Sequence, residues 1–466
     1  MPLAVMLIDN FDTYETQYII MKYTLFTGIF LFLLPIFSLA QQSPATLRLS
    51  LFEARKLALQ QNPRLRAGNL NTQIAKETIA QAKLKRIPQV YGDFNLQRNL
   101  IIPVTPVPAS AFNPSAPEGE LLPLRFSTKW TANTGLNAQV DLFNPQKRQE
   151  LQEAKLQAEQ SLTEQEQLEN DIDFEVSSAY AAALIAAEQL RLVTADTVAK
   201  FTMVTMTQEQ FDAGRLLLAE LNQAKADRNT TLSHFDEAIN INADATAELL
   251  YHLGYDPAAE VKLELADDME SLFSSFQSQV VADSSRSLSL KRLNQDEALI
   301  NTQLKGTKNG FLPVVAVQGY YGSNYFDNDF ALFKSRNWNG NSFVNVGLRI
   351  PLTEGLDRVK KINQLKLQQQ VNRLEYQDQQ HKNKLDGLAA NREVALAAKK
   401  YERTKDNFRL AQENYQNAQA QYNNGRLLIG DFYKQSYVYE QEKNSYLNAS
   451  YDFILARMKQ EKTLKN

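Results

Sequence analysis

Several short segments of the chain alternate between apolar and polar residues. In residues 131–142 the even positions are apolar or small, and most odd positions are polar. Residues 344–352 and 90–97 alternate in a similar way. Because successive side chains of a β-strand point to opposite faces, each segment places its apolar residues on one face. The pattern therefore predicts strands that have one apolar face and one polar face.

This alternation fits two kinds of protein. An antiparallel sheet packed on a soluble core has an apolar inner face and a polar outer face. A transmembrane barrel with lipid outside and water inside produces the same period. Segments of about ten residues suit a tilted strand that crosses a bilayer. The alternation by itself leaves both interpretations open.

Two much longer segments have the composition of helices. Residues 146–213 contain no glycine or proline and are rich in Ala, Leu, Gln, Glu and Lys, and residues 356–424 are similar in composition. At 1.5 Å per residue each helix is on the order of 100 Å long, which favours coiled-coil packing. Shorter return helices are predicted at residues 215–253 and 431–461, and another helix at about 283–309.

The same order of parts occurs twice, which predicts an internal two-fold repeat. The first repeat spans residues 41–255 and contains a β-hairpin at about 88–143. The second spans residues 256–466 and contains a β-hairpin at about 313–353. Four strands are too few to close a membrane barrel, since about eight is the lower limit. Three copies of the chain supply about twelve strands, although closure alone does not fix the number of copies.

Residues 1–40 are predicted to be an upstream extension followed by a signal peptide. A start at Met21 gives a short basic region, an apolar stretch over residues 23–36, and a cleavage site before Gln41. The alternative is a membrane anchor, but the apolar run is short for a spanning helix. An exported chain without spanning helices is periplasmic, secreted or inserted in the outer membrane.

Composition and charge exclude several classes of function. The net charge is −3 and the basic residues are dispersed, so no nucleic-acid partner is expected. The chain has no cysteine, which excludes disulfides, thiolate metal sites and a cysteine nucleophile. The three histidines, His234, His252 and His381, are far apart in the sequence and have no metal-ligand spacing. We predict a protein that is not an enzyme and has no catalytic residue, cofactor or metal site.

Several motifs resemble those of the TolC-like outer-membrane factors, also called the outer membrane efflux protein family. Residues 47–71 look like the first helix of that family, with its Asn-Pro break at residues 62–63. Residues 87–89 (Ile-Pro-Gln) and 142–144 (Leu-Phe-Asn) are typical entries to a strand and to a long helix. The resemblance covers most of the predicted mature chain. No single motif is decisive, but their doubled order is specific.

The resemblance implies an α+β membrane protein that assembles as a homotrimer. Its twelve-stranded barrel, with four strands per chain, is expected to cross the bacterial outer membrane and to continue as an α-helical barrel in the periplasm. The expected function is passive exit of substrates in a tripartite efflux or type I secretion system. The expected partners are a periplasmic adaptor (membrane fusion) protein and an inner-membrane pump. The alternative is a soluble periplasmic coiled-coil adaptor or scaffold.

A Gly-Arg-Leu-Leu sequence follows each long helix and matches the family's periplasmic tip motif. By resemblance, its first three residues contact the adaptor at each tip. Glycine at such a position allows a backbone with positive φ, so both segments are alternatively plain helix-ending turns. The predicted docking residues are Gly214, Arg215, Leu216, Gly425, Arg426 and Leu427.

The resemblance also implies a gate at the periplasmic aperture. Asp431 matches an acidic residue that rings the entrance in some relatives, and Glu220 holds the equivalent place in the first repeat. Rings of carboxylates select cations. Lys434 stands where those relatives have a second acid, and Tyr422 matches a residue that links neighbouring helices in the closed state. The alternative for each acid is a solvated helix face.

Overall fold

A computed structural model describes residues 46–256, 261–276, 287–352 and 355–465. The predicted extension and signal peptide, residues 1–40, lie outside these ranges. Among the described helices, none is both long and apolar enough to cross a membrane.

The chain divides into two compact units. The described residues of the smaller unit are 46–48 and 261–264. Its described part is a pairing of strand β1 (Thr46–Leu49) with strand β6 (Lys262–Leu265), whose final residues belong to the larger unit. All other elements lie in the larger unit.

Most of the described chain is helical. The helices are α1 (Leu51–Gln61), α2 (Pro63–Leu84), α3 (Pro145–Asp212), α4 (Leu218–Leu253), α5 (Met269–Ser275), α6 (Leu288–Asn309), α7 (Gly355–Asn423) and α8 (Ile429–Lys465). The two longest, α3 and α7, have 68 and 69 residues. Helix α4 packs along α3, and α8 packs along α7. Helix α4 begins at Leu218 rather than at residue 215, because the N–H of Arg215 still closes the preceding turn on the Gln210 carbonyl. Helix α8 begins at Ile429 rather than at residue 431, because the N–H groups of Asp431 and Phe432 already donate to the Leu428 carbonyl.

The start of α3 is fixed by local capping. The side chain of Asn144 accepts hydrogen bonds from the backbone N–H groups of Gln146 (3.0 Å) and Lys147 (3.4 Å). Pro145 occupies the first helical position, where a missing N–H removes no intrahelical bond. The Pro-free and Gly-free sequence that follows lets the helix continue without a kink.

The side chain of Tyr180 on α3 contacts the end of β1 and the segment just after β6. Its side chain is fully buried, and its hydroxyl donates to the carboxylate of Asp267 (2.9 Å) and lies 3.1 Å from the Leu49 carbonyl oxygen. Asp267 also accepts from the N–H of Leu51, the first residue of α1 (2.7 Å). Burial, together with Asp267, raises the pKa of Tyr180 above its ordinary value, so the hydroxyl stays a donor.

The strands form one sheet of four and a smaller hairpin. They are β2 (Gln89–Arg98), β3 (Thr105–Pro108), β4 (Leu121–Leu124), β5 (Trp130–Phe143), β7 (Val314–Asp327) and β8 (Trp338–Arg349). The order in the larger sheet is β2-β5-β7-β8, and all neighbours are antiparallel. The pairing of β5 with β7 therefore joins the two predicted hairpins. Strands β3 and β4 pair with each other in the segment between β2 and β5.

The apolar face of the four-stranded sheet is uncovered in the single chain. Val90, Leu136, Tyr321 and Val344 share this face according to the strand registers, and all four are exposed. The most exposed, Val344, has 79% of its surface accessible. Isolated exposed apolar residues are normal, but a contiguous apolar sheet face marks a surface that contacts something else.

A glycine pair lies at the centre of the polar face. Gly135 on β5 is directly opposite Gly322 on β7, and the ring of Tyr320 lies over both. A methyl group on Gly135 would come within about 2.6–2.8 Å of the Tyr320 ring and hydroxyl. An aromatic side chain that covers a glycine in a sheet compensates for the packing that glycine lacks. These glycines are therefore needed for the close approach of Tyr320.

Buried charges join the two helix pairs. Lys200 on α3 is 4% exposed, and its ammonium group contacts Asp227 on α4 and Ser436 on α8, both at 2.7 Å. Lys443 on α8 is 1% exposed and contacts Asp196 on α3 at 2.5 Å. The desolvation cost of a buried ammonium group is offset only while its carboxylate stays in place.

A third carboxylate, Glu440, reaches the same ammonium group. It lies one helical turn before Lys443 and 2.6 Å from it. Burial raises the pKa of Glu440, the charge of Lys443 opposes this shift, and the negative charge of Asp196 adds to it. The folded state therefore favours the neutral form of Glu440 more than the unfolded chain does.

We expect Lys443→Met to destabilise the helical part by about 3–5 kcal/mol, because it leaves buried carboxylate without its cation. Lys400→Met is the matched control, since Lys400 joins α7 to Asp452 on α8 in an exposed pair. That change should cost about 0–1 kcal/mol. Thermal unfolding of the purified protein, followed by helix circular dichroism, compares the two. Equal losses of stability in Lys443→Met and Lys400→Met would contradict a structural role for the buried pair.

The raised pKa of Glu440 predicts a pH dependence. Its stabilising contribution is fully present below the ordinary carboxyl pKa of 4.5 and is lost as the pH rises through the higher folded value. Glu440→Gln removes this loss. The unfolding midpoint of the variant should therefore rise relative to the parent as the pH increases above 4.5. Glu413→Gln at an exposed α7 position controls for the substitution itself. If the midpoint of Glu440→Gln falls relative to that of the parent as the pH increases, the raised pKa of Glu440 is contradicted.

Candidate functional site

The two tip turns have the same backbone conformation. Gly214 has φ of +70° and Gly425 has φ of +69°. In each turn the next residue, Arg215 or Arg426, donates its N–H to the carbonyl five residues earlier, at 2.9 and 2.8 Å. This bond is typical of the Schellman motif that ends helices. A Cβ atom at either glycine would meet nothing within 4 Å, so the positive φ alone favours glycine.

The predicted docking residues differ in exposure. Arg215 and Arg426 are exposed, whereas Leu216 and Leu427 are partly buried. Leu427 packs against a buried cluster that includes Phe432. The structure thus presents the two arginines to solvent and turns one of the two predicted leucines toward the protein.

Sequence reasoning missed the second leucine of each Gly-Arg-Leu-Leu sequence. Leu217 and Leu428 are 72% and 75% exposed, the most accessible apolar side chains of their turns. Each lies three residues after its tip glycine. The signal was present, because the repeat includes this leucine in both copies, but the prediction stopped at the first. Arginine is enriched at protein–protein interfaces, so an exposed Arg beside an exposed apolar side chain marks a candidate contact surface.

The two predicted gate acids have different local roles. The carboxylate of Glu220 accepts the backbone N–H of Leu217 at 2.8 Å and so caps the start of α4. Asp431, its equivalent in the second repeat, is exposed in the first turn of α8, and Lys434 is exposed one turn further along. Equivalent sequence positions are therefore not equivalent in structure, and Asp431 and Lys434 are the pair that faces solvent.

Tyr422 lies in the interior of the chain. It is 4% exposed, and its ring centroid is 5.6 Å from that of Phe432 on α8. Its hydroxyl is 3.5 Å from the hydroxyl of Thr207 on α3. The contact links two helices of the same chain, α3 and α7.

These elements define a fold. A four-stranded antiparallel sheet with an uncovered apolar face, and two long helical hairpins in duplicate, together form the protomer fold of the TolC-like outer-membrane factors. The predicted α+β fold and its likeness to this family are thereby confirmed at the level of the fold. No protein-family model and no curated protein matches the sequence.

Similar solved structures are outer-membrane channels. The CmeC channel of Campylobacter jejuni superposes with a TM-score of 0.70 at 15% identity, over 89% of this chain and 85% of CmeC. The MtrE channel of Neisseria gonorrhoeae, in its open state, gives 0.69 at 16% identity over 89% of each chain. CusC, described as a transmembrane channel, gives 0.69 at 16% identity over 92% of this chain and 95% of CusC.

We expect Gly425→Ala to strain the second tip turn, because a residue with a Cβ atom pays about 1–2 kcal/mol in the left-handed region. Gly430→Ala is the matched control, since Gly430 lies five residues away in α8, with open space around it and no positive φ. Protease susceptibility at the tip and the unfolding midpoint measure the effect. Gly425→Ala should increase cleavage and Gly430→Ala should not. Equal behaviour of the two variants would refute the requirement for positive φ.

Proposed function

We propose that this chain is a subunit of an outer-membrane channel. It gives passive exit to substrates that an inner-membrane pump delivers through a periplasmic adaptor. The observation that carries the proposal is the sheet, whose apolar face is exposed while the opposite face is polar. In a membrane barrel the first face contacts lipid and the second lines an aqueous passage. The fold shared with outer-membrane channels supports the same assignment.

The edges of the sheet support assembly into a homotrimer. Strands β2 and β8 lie at the two ends of the order, so each has one edge without a partner in the described sheet. Unpaired strand edges are costly in lipid, where water cannot satisfy the backbone. Pairing β2 of one copy with β8 of the next satisfies both edges. Three copies then close a barrel of about twelve strands, within the known range.

The tips support docking to a periplasmic adaptor. Arg215 and Leu217 are exposed on one turn, and Arg426 and Leu428 on the other. Exposed leucines suit an apolar groove between partner helices, and the arginines suit acidic or carbonyl groups at its rim. Asp431 and Lys434, also exposed beside the second tip, are proposed to line the aperture.

A soluble periplasmic adaptor or scaffold is the weaker alternative. It shares the long helices, but it leaves the exposed apolar face of the sheet without an explanation. An adaptor also has no need of four strands with two free edges. The two proposals differ in cellular location and in the number of subunits.

Substitutions at two neighbouring positions on β8 distinguish the channel from the soluble adaptor. Val344 lies on the apolar face and Asn345 on the polar face, and both are exposed. In a barrel, Val344→Arg places a charge in lipid, at a cost of up to about 2–4 kcal/mol near the midplane, whereas Asn345→Arg faces water. Fractionation of cells and migration of unheated samples on gels measure both location and trimer formation.

The parent protein and Asn345→Arg should be recovered from the outer membrane as trimers, and Val344→Arg should lose most of its trimer. Recovery of the parent as a soluble periplasmic monomer, with both variants unchanged, would exclude the channel and favour the adaptor.

A further inference from the structure

The polar face of the sheet contains two rows made only of amide side chains. The strand registers align four positions across β2, β5, β7 and β8 in each row. One row consists of Gln89, Gln139, Gln318 and Asn345. The other consists of Asn95, Asn133, Asn324 and Asn339. Amides donate and accept hydrogen bonds but carry no charge at any physiological pH.

Two further rows lie between these amide rows. The lower one is Tyr91, Asn137, Tyr320 and Phe343, and the upper one is Asp93, Gly135, Gly322 and Asn341. In all four rows Asp93 is the only side chain with a charge at neutral pH. Over these four rows, the face that the proposed function assigns to the aqueous passage is thus neutral except at Asp93.

The charge of Asp93 has no cationic partner among the described ion pairs. Its carboxylate accepts a hydrogen bond from the amide of Asn137, which is neutral and 8% exposed. Asp141, further along the same face of β5, differs in this respect because Lys147 lies 2.9 Å from its carboxylate. The charge of Asp141 is therefore compensated locally, and that of Asp93 is not.

We propose that Asp93 determines the charge preference of the passage along the sheet. The inference rests on the proposed function, which places this face in water inside a closed barrel. Three copies of Asp93 then form a ring of negative charge between two belts of neutral amides. A ring of carboxylates in a low-charge wall attracts cations and repels anions. The amide belts carry no charge and so do not select a sign of charge.

The absence of cysteine from the sequence permits a local test. Asn95→Cys introduces a single thiol at an exposed position of the polar face, about 7 Å along β2 from Asp93. Cationic and anionic methanethiosulfonate reagents are applied to the full-length protein in outer-membrane vesicles. The ratio of their two reaction rates reports the electrostatic potential beside Asp93, whatever the charges at the distant helical tip.

Adding Asp93→Asn should lower the cationic-to-anionic rate ratio about two- to threefold at 0.1 M salt, the effect of one nearby charge after screening. Glu118→Gln, which removes an exposed carboxylate from the loop between β3 and β4, is the control and should leave the ratio unchanged. In planar bilayers under a KCl gradient, the reversal potential of Asp93→Asn should shift toward the anion side.

An unchanged rate ratio in Asp93→Asn, with the thiol reactive and the trimer intact, would overturn the role of Asp93 and leave the channel proposal standing. A thiol at position 95 that reacts with neither reagent in intact trimers would show that this face is not in water. That result would overturn the present inference together with the orientation assumed for the sheet. Loss of the trimer in the parent protein is the separate failure of the proposed function.

Discussion

A single chain can neither cover the apolar face of its four-stranded sheet nor pair the two edges of that sheet, and the proposed assembly depends on this constraint. Its apolar face, which includes Val90 and Val344, is exposed, and its end strands β2 and β8 each have an unpaired edge. In the assembly that we propose, closure of several copies into a barrel in lipid removes both deficiencies. The charges on the opposite face line a passage only in that closed form.

The sequence was sufficient to predict the kinds of elements and their doubled order. Period-two alternation located β5 and β8. A long helical composition, with no Gly or Pro in residues 146–213 and a single glycine, Gly387, in residues 356–424, located α3 and α7 to within a few residues. Neither signal contains information on which strands pair between repeats. The pairing of β5 with β7, and with it the alignment of Asp93 with Asn341 across four strands, is a tertiary property that local sequence patterns do not determine.

The candidate site was predictable only in part, because some of its features depend on local sequence and others on tertiary structure. The tip glycines were found because positive φ has a sequence signature, and both turns adopt it. The different roles of Glu220 and Asp431 were not predictable, because capping depends on where the return helix begins. The buried lysines were not predicted, because the helices contain many lysines and the buried ones look the same as the exposed ones in the sequence. Lys443 could have been suspected, since it lies four residues from both Tyr439 and Leu447, which are buried on the same stripe.

The buried charges also show how the two repeats have diverged. Counted from the tip glycines, the positions equivalent to Lys200 and Lys443 are Ala411 and Leu232, neither of which carries a charge. The duplication thus kept the turns and the strands but kept each lysine in one copy only. Lys443 meets Asp196, and Lys200 donates to Ser436, at one alignment of α3 and α8, whereas the carboxylate partner of Lys200, Asp227, is on α4. A shift of α8 by one turn would separate Lys443 from Asp196 and Lys200 from Ser436. The network therefore specifies how the first helix pair aligns with the second, which apolar packing of repeated Ala and Leu would not do.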